Sequence, residues 1–367
     1  MGTNQKFASF LACAAVVCKA ALAAPLPLDQ LAGPVMAATT DVPTKPGQVR
    51  PIGIIDFYGL RLLTAERLRS ELTFKVGDSV TIGDHSYTFF DMSKRRLMKV
   101  PGVVNAHVDV VCCTDDLPVV FVGINERNAP ILHFTSAPTG SIRLPPDLRR
   151  IGEEYEKVLD EALLSGQANE DDSEGHTLLL YAAARPTEDR MIDIANRDLP
   201  LLRKTLRSSA DYEHRALAAQ LLGYSKDQQS VVPDLIFAMR DPSTDVRNNA
   251  MRALWVFTMA TKVEPPRVPF EPFVTLLNSP FWLDRNKSSL ALMQLASTRN
   301  PTLLAMLRER ALVSLVEMAR WTDRSHAAPA FFILGSIAGL DDKVVSDAWD
   351  KNDRDRVIQA ALRVKRN

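Results

Sequence analysis

Two neighbouring stretches in which apolar and polar residues alternate predict a β-hairpin around residue 115. In VVNAHVDVVCC, the even-numbered residues from Val104 to Cys112 are apolar and share one face of an extended strand. The polar residues Asn105, His107 and Asp109 share the other face. The stretch PVVFVGINE repeats the alternation after the short polar run TDDL, which suits a turn. We expect one face of this hairpin in a core and the other face wet or covered.

The residues before the hairpin predict one further strand and two helices. PIGIIDFYG has the apolar character of a strand, and TAERLRSEL follows as a helix with Thr64 as its N-cap. A second helix, FDMSKRRLMK, ends before Pro101 and Gly102. Residues 51–127 therefore predict an α+β module with the element order β-α-α-β-β.

From about residue 190 onward, helical stripes of apolar residues repeat. A stripe at i, i+3, i+4 and i+7 begins at Val232, and the same stripe begins again at Phe270, 38 positions later. The same offset carries the next apolar stripe from Ala250 to Ser288, and it carries Arg247 to Arg285. Two helices that recur at one offset indicate a duplicated helix pair. Residues 190–367 therefore predict an all-α solenoid.

The module at residues 51–127 resembles a POTRA domain. The first strand ending in Gly59, the Val76-Gly77-Asp78 step and the stretch LMKVPGVVNAHVDV carry this resemblance. The resemblance implies a periplasmic docking module whose sheet edge accepts peptides. Such pairing has a simple physical basis, because the unpaired N–H and C=O groups of an edge strand accept another strand with little demand on side chains.

The helical region resembles short HEAT-type repeats of the kind found in bilin lyases, and DPSTDVRNNAMRAL is its best copy. Four arginines recur at spacings of 32, 38 and 39 residues: Arg215, Arg247, Arg285 and Arg324. This uneven spacing excludes a strict tetratricopeptide array, whose period is about 34 residues. The resemblance implies that the arginines bond between neighbouring repeats. A basic ladder for anionic ligands is the alternative.

The N-terminus predicts an export signal. Lys6 precedes the apolar run FASFLACAAVV, and the small residues that follow predict cleavage between Ala23 and Ala24. Residues 1–23 are thus interpreted as a signal peptide. Residues 24–50, rich in Pro, Ala and Thr, are interpreted as a disordered leader. A Pro-rich connector and an acidic helix predict a linker with capping helices at residues 128–189.

Composition and motifs point away from catalysis. The chain is 46% hydrophobic and 24% charged with a formal net charge of zero, so no global field favours nucleic acid. No two of the six histidines lie within four residues of each other, which argues against a helical metal site. Trp255, Trp282 and Trp321 recur near repeat positions and are interpreted as core residues and not as a carbohydrate platform; of the three, Trp282, beside Pro280 and Phe281 in a turn, is the candidate for exposure. We expect neither a catalytic nor a cofactor-binding nor a metal site.

The adjacent cysteines Cys112 and Cys113 are the only two outside the predicted signal peptide. Neighbouring side chains of an extended strand point to opposite faces, so we expect no disulfide between them. Cys113 is instead predicted to be an exposed thiol, either free or bridging to another chain.

The sequence thus predicts an exported, non-enzymatic scaffold or adaptor, periplasmic or extracellular. Its partner would be a protein or peptide associated with the envelope or with secretion. The mature form would be neither transmembrane nor bound to nucleic acid. Two alternatives stay open, a HEAT-like lyase-type enzyme and a self-associating structural envelope component, and the sequence leaves homo-oligomerisation open.

Overall fold

The computed structural model describes residues 48–81, 87–130 and 132–364. The predicted signal peptide, its cleavage site at Ala23 and Ala24, and the leader up to residue 47 lie outside these ranges. The chain divides into two compact units. One combines the segment that ends at Leu132 with the segment from Val274 onward, and the other is His133–Phe273. The division falls inside the region predicted as one solenoid, residues 190–367.

The first unit contains a small N-terminal sheet region. Its elements are β1 (Val49–Pro51), β2 (Ile54–Tyr58), α1 (Ala65–Arg69), β3 (Ser79–Thr81), α2 (Thr88–Leu97), β4 (Val103–Thr114) and β5 (Leu117–Glu126). Strand β5 lies in the centre of a three-stranded sheet, parallel to β2 and antiparallel to β4. Strands β1 and β3 form a separate antiparallel ribbon. Because β1 begins at Val49, this ribbon includes residues that the sequence assigned to the disordered leader.

One face of the three-stranded sheet packs against α1 and α2. Alternate residues of each strand, among them Phe57, Val110 and Val122, join a buried core with Leu68 of α1 and Phe90 of α2. The period-two alternation seen in the sequence produces this face, since alternate side chains of a strand point the same way. Thr64 caps α1 by accepting a hydrogen bond from the Arg67 N–H.

The second unit, His133–Phe273, is mostly helical. Its elements are α3 (Pro146–Leu164), β6 (Glu170–Asp171), β7 (Leu178–Leu179), α4 (Arg185–Arg197), α5 (Leu199–Ser208), α6 (Tyr212–Leu222), α7 (Gln228–Ala238) and α8 (Thr244–Met259). Helix α6 packs on both α5 and α8, as expected for consecutive helix pairs. The acidic helix predicted in the linker is α3, whose buried residues Leu148, Ile151, Tyr155 and Leu159 form one face.

Seven helices complete the chain. They are α9 (Glu271–Leu276), α10 (Trp282–Ser297), α11 (Pro301–Arg310), α12 (Leu312–Ala319), α13 (Arg324–Ile337), α14 (Asp342–Asp350) and α15 (Arg354–Arg363). In the first unit, α13 packs against α10, α12 and α15. Across the three described ranges, no helix combines the length and apolar character needed to cross a bilayer.

The last helices cover the second face of the sheet. Phe121 of β5 is fully buried and stacks on Trp282 of α10, with ring centroids 5.1 Å apart. It also contacts the rings of Trp321 and His326. Trp282 is 1% exposed, so it lies in the core and not at the surface. The sheet therefore has two covered faces, which explains why the last helices group with the sheet region.

We expect Phe121→Ala to destabilise the first unit by about 3–5 kcal/mol, because it leaves a cavity among three aromatic rings. Chemical denaturation followed by tryptophan fluorescence measures this change. The control is Val104→Ala, on the same sheet but 52% exposed, which should cost about 0.5 kcal/mol or less. Equal losses in the two variants would contradict this interpretation of the aromatic contact.

Candidate interaction site

Hydrogen bonds from the segment between α12 and α13 attach that segment to strand β2. The Asp56 carboxylate accepts hydrogen bonds from the N–H groups of Thr322 and Asp323 at 2.9 and 3.0 Å. These N–H groups lie at the start of α13, where the helix dipole favours an anion. The Trp321 Nε1–H donates to the Phe57 carbonyl at 2.9 Å. Sequence reasoning missed this attachment, although a single aspartate within the apolar run IIDFY was its visible signal.

The turn after β2 is held by two carboxylates. Glu317 of α12 accepts from the N–H groups of Gly59 and Leu60, at 2.9 and 2.7 Å, and from Arg285. Glu126 accepts from the next three N–H groups, those of Arg61, Leu62 and Leu63. Gly59 has φ +85°, and a Cβ there would lie 2.1 Å from the Ile124 carbonyl oxygen, so only glycine fits.

The predicted polar face of β4 meets the helices rather than solvent. The Tyr58 hydroxyl lies 3.0 Å from both the Asp109 carboxylate and the Pro280 carbonyl. Burial raises the pKa of Asp109 to about 6, against the opposing effect of the Tyr58 hydrogen bond. Burial also lowers the pKa of His107, whose ring lies 4.9 Å from that of Phe281. His107 and Asp109 thus share a face, as the alternation predicts, and each contacts a different aromatic ring.

The outer edge of β2 is closed by side chains. In a strand, alternate carbonyl groups point to the same edge. The Ile55 carbonyl accepts from the Arg69 guanidinium at 3.3 Å, and the Phe57 carbonyl accepts from the Trp321 indole at 2.9 Å. Both carbonyls on this edge therefore have donors, and an incoming strand would have to displace them.

The outer edge of β4 differs. The Gly53 N–H donates to the Pro118 carbonyl, so the even-numbered residues of β5 bond towards β2 and the odd-numbered ones towards β4. Odd residues of β5 pair with odd residues of β4, as Phe121 does with Asp109. The N–H and C=O groups of the even residues of β4 consequently point outward. No other strand in the described residues pairs with this edge.

The outward groups belong to three consecutive even positions. The Ala106 N–H donates to the side-chain oxygen of Asn105 at 2.9 Å. The next outward-pointing N–H and C=O groups are those of Val108 and Val110. Val104, at the start of the strand, is 52% exposed. These residues define the β4 edge, which is the candidate interaction site of the first unit.

Three of the four predicted arginines occupy the same position in their helices and donate to the same turn carbonyl. Arg215, Arg247 and Arg285 each lie four residues after the N-cap of their helix. Each is almost fully buried, with 0–2% exposed, and each donates to the carbonyl six residues earlier. The arginine thereby satisfies the carbonyl groups of the turn between the two helices of a pair.

Two of these arginines also bond to a carboxylate further along the chain. Arg215 forms a bidentate pair with Asp241, at 2.7 and 2.9 Å, just before α8. Arg285 bonds to Glu317 of α12 at 3.1 Å. Arg247 lies over the Phe134 ring at 4.0 Å. Since all three guanidinium groups are buried, they do not form an exposed basic ladder.

Arg324 occupies a different position. It lies one residue after the N-cap Asp323, and the position equivalent to the other three arginines is Ala327. Arg324 is only half-buried and bonds to Asn352 and to the Trp349 carbonyl. The turn carbonyl of Trp321 accepts instead from Arg354. Arg324 therefore bonds to the residues at the end of α14, but from a different helix position than the other three arginines.

The structure joins Cys112 and Cys113 in a disulfide. The expectation of an exposed thiol at Cys113 is therefore corrected, and both residues are half-buried. The pairing of β4 with β5 shifts register between Val111 and Thr114, so the regular alternation on which the expectation rested does not hold there. Thr114 then donates to Asp323 at 3.1 Å, which attaches the hairpin tip to the start of α13.

The second unit includes the part of the chain that a known family matches. Residues 199–268 match HEAT repeats. The match spans α5 to α8, including Arg215 and Arg247, and HEAT repeats typically mediate protein–protein interaction. No curated protein matches the chain. Within the described ranges, no group of three or more His, Cys, Asp and Glu residues is arranged to hold a metal ion.

We expect Arg285→Ala to destabilise the first unit by about 3–5 kcal/mol, because it leaves the buried Glu317 without its cation. Arg324→Ala is the matched control and should cost about 1 kcal/mol, since its guanidinium is partly solvated. Thermal denaturation of both variants measures the difference. Similar losses would mean that spacing, and not helix position, identifies the structural arginines.

The raised pKa of Asp109 predicts a pH-dependent stability. The folded chain binds this proton more tightly than the unfolded chain, so the stability that it contributes is greatest below about pH 4 and is lost as pH rises through about 6. Asp109→Asn should therefore be more stable than the unsubstituted chain at pH 8, by about 3 kcal/mol. The gap should close as pH falls to about 4.

Denaturation curves across this pH range measure the effect. The control is Asp115→Asn in the exposed hairpin turn, where φ is +49° and Asn is well tolerated. A gap between Asp109→Asn and the unsubstituted chain that stays constant with pH would exclude Asp109 as its source.

Proposed function

We propose that this protein is exported and acts as a non-enzymatic adaptor that joins protein partners. The sheet region, which resembles a POTRA domain in its β-α-α-β-β order, accepts an extended strand at the β4 edge. The HEAT repeats at residues 199–268 bind a second protein. The predicted signal peptide supports export to the periplasm or the extracellular space.

The observation that carries the proposal is the difference between the two edges of one sheet. Arg69 and Trp321 close the outer edge of β2, whereas the even residues of β4 direct N–H and C=O groups outward. Natural sheets usually protect an edge, because unpaired backbone groups recruit other strands. A sheet that closes one edge with side chains and has no strand paired to its other edge among the described residues is suited to strand addition there.

The β4 edge also keeps its shape without a partner. Both faces of the sheet are packed, one against α1 and α2 and the other against the last helices. An incoming strand therefore meets preformed backbone geometry, which reduces the ordering cost of binding. Specificity would come from the few side chains that border the edge, Asn105 and Val104 among them.

Photo-crosslinking in living cells tests the proposal. A photoreactive residue at Val104 should form a covalent adduct with a protein, and cell fractionation should recover the chain outside the cytoplasm. The same residue at Glu66, which is exposed on α1 away from the β4 edge, is the control and should give no adduct. An intact cytoplasmic chain, or equal adducts at both positions, would contradict the proposal.

A further inference from the structure

We propose that the HEAT repeats bind an acidic segment of a partner protein through the first helices of their two pairs, α5 and α7. This inference rests on the proposed function, because it names the surface and the partner chemistry of the repeats that bind a second protein. The surface is called the α5–α7 face, and it consists of Arg203, Lys204 and Arg207 of α5, Asp234 and Phe237 of α7, and Arg240.

The second helices of the two pairs, α6 and α8, offer little surface to a partner. Both helices are fully described: every residue of α8 is buried or half-buried, and Glu213 alone is exposed in α6. Repeat arrays of this kind bind partners through an extended exposed surface. The second helices therefore do not supply that surface here.

Part of the cover over the second helices is the chain that precedes them. The Leu144 N–H donates to the His214 ring of α6 at 2.9 Å, in a buried hydrogen bond. Glu170 of β6 forms an ion pair with Arg252 of α8, and both side chains are largely buried. A partner at the second helices would have to displace these contacts, whereas the first helices need no such change.

The first helices expose a cationic surface. Arg203, Lys204 and Arg207 are the charged residues of α5, and Asp234 is the charged residue of α7. Arg240 follows α7 and is exposed. The α5–α7 face thus combines four cations with a single carboxylate, and opposite charge on a partner is what it complements.

Asp234 holds the two arginines of α5 in place. Its carboxylate lies 2.9 Å from the Arg203 Nε and 2.7 Å from the Arg207 Nε, and Arg203 also donates to the Ser230 hydroxyl at 2.9 Å. The Asp234 side chain is only 9% exposed, whereas those of Arg203 and Arg207 are 33% and 42% exposed. The carboxylate is thereby covered, and the guanidinium groups face outward in fixed positions. Fixing them beforehand reduces the entropy lost when a partner binds.

The surroundings of Arg207 indicate the chemistry of the partner. Its bond to Asp234 uses Nε, so its two terminal nitrogens can bind both oxygens of a carboxylate from a partner. Its guanidinium lies over the half-buried Phe237 ring, 4.6 Å from the ring centroid. Carboxylates and an apolar side chain are therefore bound side by side. The face suits a segment in which Asp or Glu alternates with apolar residues.

A protein segment fits this face better than nucleic acid does. The chain has a formal net charge of zero, so no wider positive field adds to the local one. Nucleic acid binds through many phosphate contacts along its backbone, and the Asp234 carboxylate lies among the few cations present.

Fluorescence polarisation with two labelled peptides tests the chemistry. One peptide alternates Glu with Phe, and the other alternates Gln with Phe. The purified chain should bind the Glu peptide about tenfold more tightly than the Gln peptide. The difference should shrink as salt rises, because salt screens exposed charges.

A charge reversal tests the face. Lys204→Glu should weaken binding of the Glu peptide about tenfold, because it places a like charge at the contact. The matched control is Lys343→Glu on α14, an exposed lysine of the other unit with the same change in net charge, which should stay within about twofold. Circular dichroism should be unchanged in both variants.

Three results would overturn the inference: equal binding of the two peptides, equal losses in the two variants, or displacement of the Glu peptide by a single-stranded oligonucleotide at lower concentration than by unlabelled Glu peptide. The last result would assign the face to nucleic acid.

Photo-crosslinking in cells separates failure of this inference from failure of the proposed function. A photoreactive residue at Lys204 should give an adduct whose partner peptide, identified by mass spectrometry, is rich in Asp and Glu. The same residue at Glu213 should give none. An adduct at Glu213 alone rejects the α5–α7 face and leaves protein binding by the HEAT repeats standing. The lack of an adduct at both positions contradicts that binding and the inference together.

Discussion

The attachment of β2 to the start of α13 is the constraint on which the first unit depends. The Asp56 carboxylate accepts from the N–H groups of Thr322 and Asp323, which have no partner within the helix. In the opposite direction, the Trp321 indole N–H donates to the Phe57 carbonyl of β2. Burying any of these groups without its partner would cost about 1–3 kcal/mol. The contacts join residues up to 267 positions apart, so the sheet region and the last helices stabilise each other.

The same attachment determines which edge of the sheet stays open. Trp321 can close the β2 edge only because α12 ends and α13 begins beside β2, and Glu317 of α12 fixes the turn that follows. Strand β4 bonds to Tyr58 of β2 through Asp109 on its face, and its tip is attached to the start of α13 through Thr114. Its backbone edge is not used by these contacts. The asymmetry of the two edges therefore depends in part on the docked helices, which supply Trp321, while Arg69 of α1 contributes the other donor.

This origin explains what the sequence could and could not predict. The alternation in β4 and β5 identified the core face, because period two depends only on local geometry. Spacing placed Arg215, Arg247 and Arg285 at equivalent helix positions, but it could not show that Arg324 lies nearer its N-cap, since spacing does not reveal which residue caps a helix. The irregular pairing between Val111 and Thr114, where adjacent cysteines form a disulfide, breaks the period and could not be predicted from it. The sequence likewise predicts a sheet with two outer edges, but it does not show which edge the side chains of Arg69 and Trp321 close.

The division of the chain follows from the same argument. A helix pair in a repeat array normally buries its apolar surface against the next pair. Here the helices from α10 onward bury part of theirs against Phe121 and the polar side of β2 instead. They are thereby grouped with the sheet, while the stretch that matches HEAT repeats, residues 199–268, belongs to the other unit.

Helices that pack against a sheet have less surface left for binding other proteins. For this reason the proposed function places strand addition in the first unit and protein binding by HEAT repeats in the second.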